Sequence, residues 1–356
     1  MSIEYRKLQL SSMGSYLITL PRSWIEKLGW NRGTQLILRL ESNRVIVAGD
    51  ESEQPARKPL HKIYIEDFPN RKLLELCLNA SYIQGNDVTE ILSRDKIKAE
   101  HRKWIRTALD GVIGSEIAEE FSDRVVLQNL VDPLKFPLDA VVNRFSNVAM
   151  AVYTDAVKAL NLRDKDLALD AYERGADSAK LYRLLMRQVI QCARSPELAG
   201  KMELEEPGEV IVMALTVREL SRIAYYSMRI AEHVAEVADK EIDHRILRGI
   251  SEMHRIAMMM HKDAMTALRE KNLQLAGKVI DNMEQLRTVF DGSLKELLKN
   301  KMDYNTSKHL LLILRNFRAI GGYAVGLADN ATLSIFSKAK EFNGEVYEQL
   351  RHKTTA

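Results

Sequence analysis

The chain has 356 residues, 46% of them apolar and 28% charged, which fits a folded protein of two or three domains and excludes a collagen-like or disordered chain. Its 52 basic and 49 acidic residues leave a net charge of +3, too small for whole-molecule attraction to nucleic acid or anionic lipid, so any such affinity must be local. Two widely separated cysteines, Cys77 and Cys192, exclude a disulfide framework or a four-cysteine metal site, and both are expected as buried small apolar residues.

Residues 5–10 and 16–20 alternate apolar and polar side chains as strands do, with Ser12–Met13–Gly14 as the turn between them. Pro21 stops the second strand, Ser23 is placed to cap the short helix WIEKLG, and Gly29 ends it. Beyond Arg32–Gly33 a second hairpin, QLILRL and RVIVAG, turns at Ser42–Asn43. Four short strands and one helical turn make too small a core, because an isolated hairpin is marginal in water. A two-fold dimer in which strands of two chains complete one barrel is therefore expected. Arg6, Lys7, Arg22, Lys27, Arg32, Arg39 and Arg44 against Glu4, Glu26 and Glu41 give this segment a net charge of +4, doubled in a dimer and enough for several phosphate contacts on a duplex.

The run YLITLPRSWIEKLGWNRGTQLILRLESNRVIVAG resembles the AbrB/SpoVT swapped-hairpin DNA-binding domain, a likeness covering most of residues 5–49. The resemblance implies DNA as a partner. The family's arginines in the first turn and short helix are replaced here by Met13–Gly14–Ser15 and Ile25–Glu26, so Arg6, Lys7, Arg22 and Lys27 are nominated as DNA contacts from charge and position alone.

DESEQPARKPLHK, residues 50–62, combines two prolines with mixed charge and reads as an extended linker. Residues 61–132 then follow the order strand (KIYI), helix (NRKLLELCLNASYIQG), strand (DVTEIL), helix (KAEHRKWIRTALDG), strand (VIGSEIAEEF), strand (RVVLQNLV), with Gly85 and Gly111 as helix stops and Trp104 in the core. This small α+β module has no phosphate loop or ligand cluster, so it is assigned no chemistry beyond coupling the two ends of the chain.

All eight prolines lie before residue 208, which leaves long stretches free for helices. The apolar period predicts helices over 138–161, 164–193 and 209–240, then over 244–270, 273–299 and 306–332: two passes of a three-helix pattern, domains 138–240 and 244–335. Asp170 and Glu173 recur as Asp281 and Glu284, and RIAYYSMRIAEH recurs as AIGGYAVGLADN. Gly321, Gly322 and Gly326 are expected to mark close helix packing, while His233, His254 and His261 read as polar groups at the edge of the bundle. No apolar run approaches the roughly 18 residues of a membrane span, and MSIEYRKLQL lacks a signal-peptide core, so a cytoplasmic protein without membrane insertion is expected.

The paired three-helix units with AIGGYAVGLADNA resemble the PhoU family of phosphate-transport regulators, and the whole chain resembles the architecture of archaeal phosphate uptake regulators. The expected fold class is thus mainly α and multidomain: an AbrB-like hairpin domain over 1–50, an α+β linker domain over 61–132, and two PhoU-like repeats. The resemblance also implies metal clusters held by Glu/Asp-x-x-x-Asp pairs on second and third helices. Asp170, Glu173 and Asp177 supply one intact pair, but Glu284-x-x-x-Thr288, Ser221-x-x-x-Tyr225 and Arg318-x-x-x-Gly322 break the others. One helix leaves most coordination positions to water. No cofactor is therefore expected, and a lone divalent cation or iron would have only those three carboxylates. No nucleophile arrangement or nucleotide loop points to an enzyme. The implied function is a DNA-binding regulator of phosphate uptake whose helical repeats contact a partner such as a transporter ATPase or a regulatory kinase. The alternative is a dimeric adaptor that acts by protein contact without DNA.

Overall fold

A computed structural model describes residues 3–41, 44–49 and 60–338 and divides the chain into two compact units, Met1–Lys58 and Pro59–Ala356. The turn expected at Ser42–Asn43 and most of the linker over 50–62 lie outside the described residues.

The first unit holds two antiparallel hairpins, β1 (Gln9–Leu10) with β2 (Tyr16–Leu17), and β3 (Leu36–Glu41) with β4 (Arg44–Gly49). Between them lies α1 (Arg22–Leu28), ended by Gly29 at φ 70°, a left-handed position suited to glycine. The cap differs from expectation: Pro21 is the N-cap residue and Ser23 lies inside the helix, because proline's fixed φ already starts the turn. Trp30 packs over Gly49, where a Cβ would come within 2.9 Å of the indole nitrogen. None of the unit's described residues is buried.

In the second unit, β5 (Leu60–Tyr64), α2 (Arg71–Ile83), β6 (Val88–Leu92), α3 (Ala99–Leu109), β7 (Ser115–Glu120) and β8 (Arg124–Asn129) form a sheet of order β5-β6-β8-β7, with β5 parallel to β6 and the other pairs antiparallel. Asn70 caps α2 by accepting from the Leu73 amide, and Gly85 at φ +79° follows its end. Leu74, Leu78, Ile91, Ile105, Val125 and Leu127 form the core, with Trp104 packed against it. Cys192 is buried, but Cys77 is only half-buried on α2.

The helical part comprises α4 (Leu138–Leu162), α5 (Lys165–Asp177), α6 (Ala179–Arg194), the short α7 (Pro196–Lys201), α8 (Pro207–Ala235), α9 (His244–Glu270), α10 (Leu273–Lys299) and α11 (Tyr304–Lys338). One apolar core runs through both repeats, from Leu138 to Ala331. The second helix expected over 164–193 is broken: Ser178, whose hydroxyl donates to the Gly175 carbonyl at 2.6 Å, separates α5 from α6. The break lets α5 press on α8, where a Cβ on Gly175 would lie 2.9 Å from that of Met228, while α6 turns to α2. Three arginines of α6 grip the α+β module. Arg183 donates to the Gly111 carbonyl at 2.6 Å, Arg194 donates to the Gln84 carbonyl and side chain, and the fully buried Arg187 donates to the Tyr82 and Asn86 carbonyls and pairs with Asp87 at 2.6 Å.

The third helices, α8 and α11, pack on each other in antiparallel fashion. Gly208 lies beside Ser337, Glu219 beside Gly326, Tyr226 beside Tyr323 and His233 beside His309. α4, α5 and α6 cover one flank of α8, and α9 and α10 cover one flank of α11. The expectation that no stretch is apolar enough to span a bilayer needs correction: residues 304–337 reach a mean hydropathy of 1.3 over 18 positions. Half of that window is buried in the bundle, with Leu310, Ile313, Leu314, Phe317, Ile320 and Ala324 in the core.

Candidate functional site

Of the four nominated basic residues of the first unit, two are paired with a neighbouring glutamate. Arg6 pairs with Glu4 and donates to the Tyr5 carbonyl at 3.0 Å, and Arg22 pairs with Glu26 at 2.8 Å across one turn of α1. Glutamates thus offset two of the four charges locally, and exposed salt bridges of this kind contribute little stability. Lys7 and Lys27 are exposed, and Lys27 lies five residues from Arg22, off its face of the helix. The same unit exposes Leu8, Leu10, Tyr16, Leu17, Leu38 and Leu40.

Asp170, Glu173 and Asp177 lie on the exposed side of α5. Arg174 donates to Asp170 at 2.9 Å and to Asp155 of α4 at 2.7 Å, and Lys180 pairs with Asp177 at 3.0 Å. A guanidinium therefore bridges the carboxylates of the two helices, and those hydrogen bonds hold the Arg174 pKa above its ordinary value. Among the described residues no group of three or more His, Cys, Asp or Glu side chains is placed to hold a metal ion.

The helix caps revise the repeat register. Arg163 and Lys271 end the first helices with positive φ, and Asp164 and Asn272 cap the second helices by accepting from Leu167 and Leu275. Aligned on these, Glu173 falls opposite Asp281 and Asp170 opposite Lys278, which pairs with Asp263 of α9 at 3.3 Å. Each repeat thus ties an aspartate of its first helix to a cation of its second.

The histidines, read from sequence as edge groups, are mostly interior. His261 is fully buried between Ser146 (3.1 Å) and Tyr153 (3.4 Å) of α4, and the half-buried His254 meets Thr154 at 3.2 Å. His233 and His309 face each other with Nδ1 atoms 3.3 Å apart. Burial lowers all four pKa values, to about 4 for His233 and His261. These positions carried no sequence signal, because the groups that enclose each one come from another helix.

At the middle of the α8–α11 seam the rings of Tyr226 and Tyr323 stack, centroids 5.6 Å apart and planes 24° from parallel. Burial and the neighbouring Tyr226 push the Tyr323 phenol up, and burial raises the Glu219 carboxyl. Of the expected packing glycines, Gly321 and Gly326 are tight, since a Cβ would lie 2.1 Å from Leu286 and 3.0 Å from Glu219 respectively. Gly322 differs: its missing Cβ would meet nothing within 4 Å, because it faces outward.

Comparison with known proteins matches the PhoU domain to residues 142–234 and 250–331. A Rhizobium meliloti protein named phosphate-specific transport system accessory protein PhoU homolog is 21% identical over 187 residues, 51% of this chain and 73% of that protein. The crystal structure of PhoU from Pseudomonas aeruginosa superimposes with a TM-score of 0.50 at 18% identity, covering 58% of this chain and 98% of that one. The phosphate transport system regulatory protein PhoU from Streptococcus pneumoniae gives 0.49 at 15% identity, covering 58% and 96%.

Proposed function

We propose that this chain, whose residues 142–234 and 250–331 match the PhoU domain, is an accessory regulator of phosphate transport that acts by protein contact. The observation that carries this reading is the pair of PhoU matches on repeats that share one core, together with their likeness to a transport-system accessory protein. In this reading the protein works in the cytoplasm, without catalysis, on a component such as a transporter ATPase or a regulatory kinase. The first unit, an AbrB-type pair of hairpins with no buried residue of its own among those described, serves as a dimerisation module whose apolar strands are covered by a second copy.

Deleting the gene and following radiolabelled phosphate uptake at high and low external phosphate tests the reading. Loss of the normal restraint on uptake, restored by the full chain, is expected, and unchanged uptake refutes it. Light scattering of the full chain against a form lacking residues 1–49 tests the dimer: the shortened protein should be the smaller assembly.

The net charge of the first unit favours a second reading, in which the dimer also holds duplex DNA through Arg6, Lys7, Arg22 and Lys27. Such binding must weaken steeply with salt and flatten its salt slope when Arg22 and Lys27 become alanine. No binding at low salt leaves the protein-contact reading alone.

A further inference from the structure

The outer side of the α8–α11 seam is uncovered among the described residues and has a distinctive composition. Along α8, Ile211, Leu215, Arg218, Arg222 and Tyr225 recur every three or four residues and are exposed. Along α11, Lys308, Arg315 and Leu333 continue the same surface, because the helices are antiparallel and their other flanks are covered. No salt bridge joins Arg218, Arg222, Lys308 or Arg315 to a carboxylate among the described residues; the half-buried Glu219 feels the charges of Arg218 and Arg222, and Asp329 is the sole exposed carboxylate on these two helices there. The neighbouring α5 carries the reverse sign with Asp166, Asp170, Glu173 and Asp177 exposed, so the basic character belongs to the seam and not to a chain of net charge +3.

Gly322 lies in the middle of this surface. Glycine inside a helix costs about 0.5–1 kcal/mol relative to alanine, yet no described residue occupies the space its Cβ would take. A bare spot between two helices, on a surface of exposed apolar and cationic side chains, suits the close approach of a third helix from outside.

We infer that the α8–α11 seam docks an acidic amphipathic helix of a partner protein, its carboxylates on Arg218, Arg222 and Arg315 and its apolar side over Gly322. This deepens the protein-contact reading and rests on it. The exposed Ile211, Leu215, Tyr225 and Leu333 of the same surface would stay wet against a nucleic-acid backbone, and the bare Gly322 between two helices suits a rod-shaped partner better than a planar bilayer.

The test uses the full-length protein and a fluorescent 18-residue Leu/Glu amphipathic peptide, with its Leu/Lys counterpart, anionic phosphatidylglycerol vesicles and a DNA duplex as the other arms. Binding of the Glu peptide is expected, weakened at least tenfold by the triple change R218E/R222E/R315E and separately by G322L, with thermal melts showing both variants folded. No binding of the Glu peptide, binding indifferent to both variants, equal binding of the Lys peptide, or tighter binding to vesicles or duplex overturns the inference. If the triple variant still restrains phosphate uptake in cells, the docking site fails while the regulatory reading stands. If gene deletion itself leaves uptake unchanged, it is the regulatory reading that fails.

Discussion

Tyr226 and Tyr323 occupy the same position in the third helices of the two repeats and stack directly on each other, centroids 5.6 Å apart. Equivalent residues in mutual contact place an approximate two-fold axis between them, which explains why the repeats share one core. The repeats therefore depend on each other as halves of one bundle. An aromatic pair contributes about 0.5–1.5 kcal/mol beyond its buried area. A double-mutant cycle on Y226A and Y323A in urea should return a coupling energy in that range, and additive losses would show that the stack does not join the repeats.

The three glycines of α11 should separate by sign. G321A pushes a methyl into Leu286, 2.1 Å away, and the packed core must shift at a cost of about 1–3 kcal/mol. G326A meets only the end of the Glu219 side chain and should cost less. G322A adds a methyl in open space and should stabilise by about 0.5–1 kcal/mol. Urea midpoints of the three variants check the order, and a destabilised G322A contradicts the outward position of that residue.

The α+β module was legible because its strands alternate with period two and Gly85 punctuates its first helix. Sequence could not show where α6 leaves α5, since the helical period continues through Ser178 and only the hydroxyl bond to Gly175 and the pull of the module on Arg187 mark the break. The carboxylates of α5 were found, but the guanidinium that bridges them to α4 was not, because Asp155 and Arg174 lie on different helices. The outward Gly322 looked like its neighbours for a related reason: one residue's rotation on a helix decides whether it faces the core.

Arg187 carries the junction between the module and the bundle. It is buried, pairs with Asp87 and satisfies two backbone carbonyls, so R187A leaves a charge and two acceptors without their partner. Asp87 is a third exposed and can be rehydrated, so the loss comes chiefly from the two orphaned carbonyls, about 1–3 kcal/mol. Urea unfolding should show that loss, and amide exchange should show the end of α2 around Tyr82 opening first. A loss below about 1 kcal/mol would mean that Arg183 and Arg194 hold the junction without it.

The histidines set the acid limit of the fold. His233 and His261 titrate near 4 in the folded chain against an ordinary value of 6.5, chiefly because burial penalises the charged ring. For His233 the nearby Arg229, His309 and Lys308 add to the effect, while Glu232 and Glu236 act in the opposite sense on His309. Above pH 6.5 both states are neutral at these sites and the full stability is present. As pH falls from 6.5 towards 4 the unfolded chain takes up protons that the folded chain refuses, so stability declines by up to about 1.4 kcal/mol per pH unit for each histidine. The melting temperature should fall through this window. H233Q or H309Q should make the fall shallower, since each removes one ring from a pair whose Nδ1 atoms are 3.3 Å apart. A melting temperature flat from pH 7 to 5 in the parent chain would require imidazoles that are charged, or hydrated, inside the bundle.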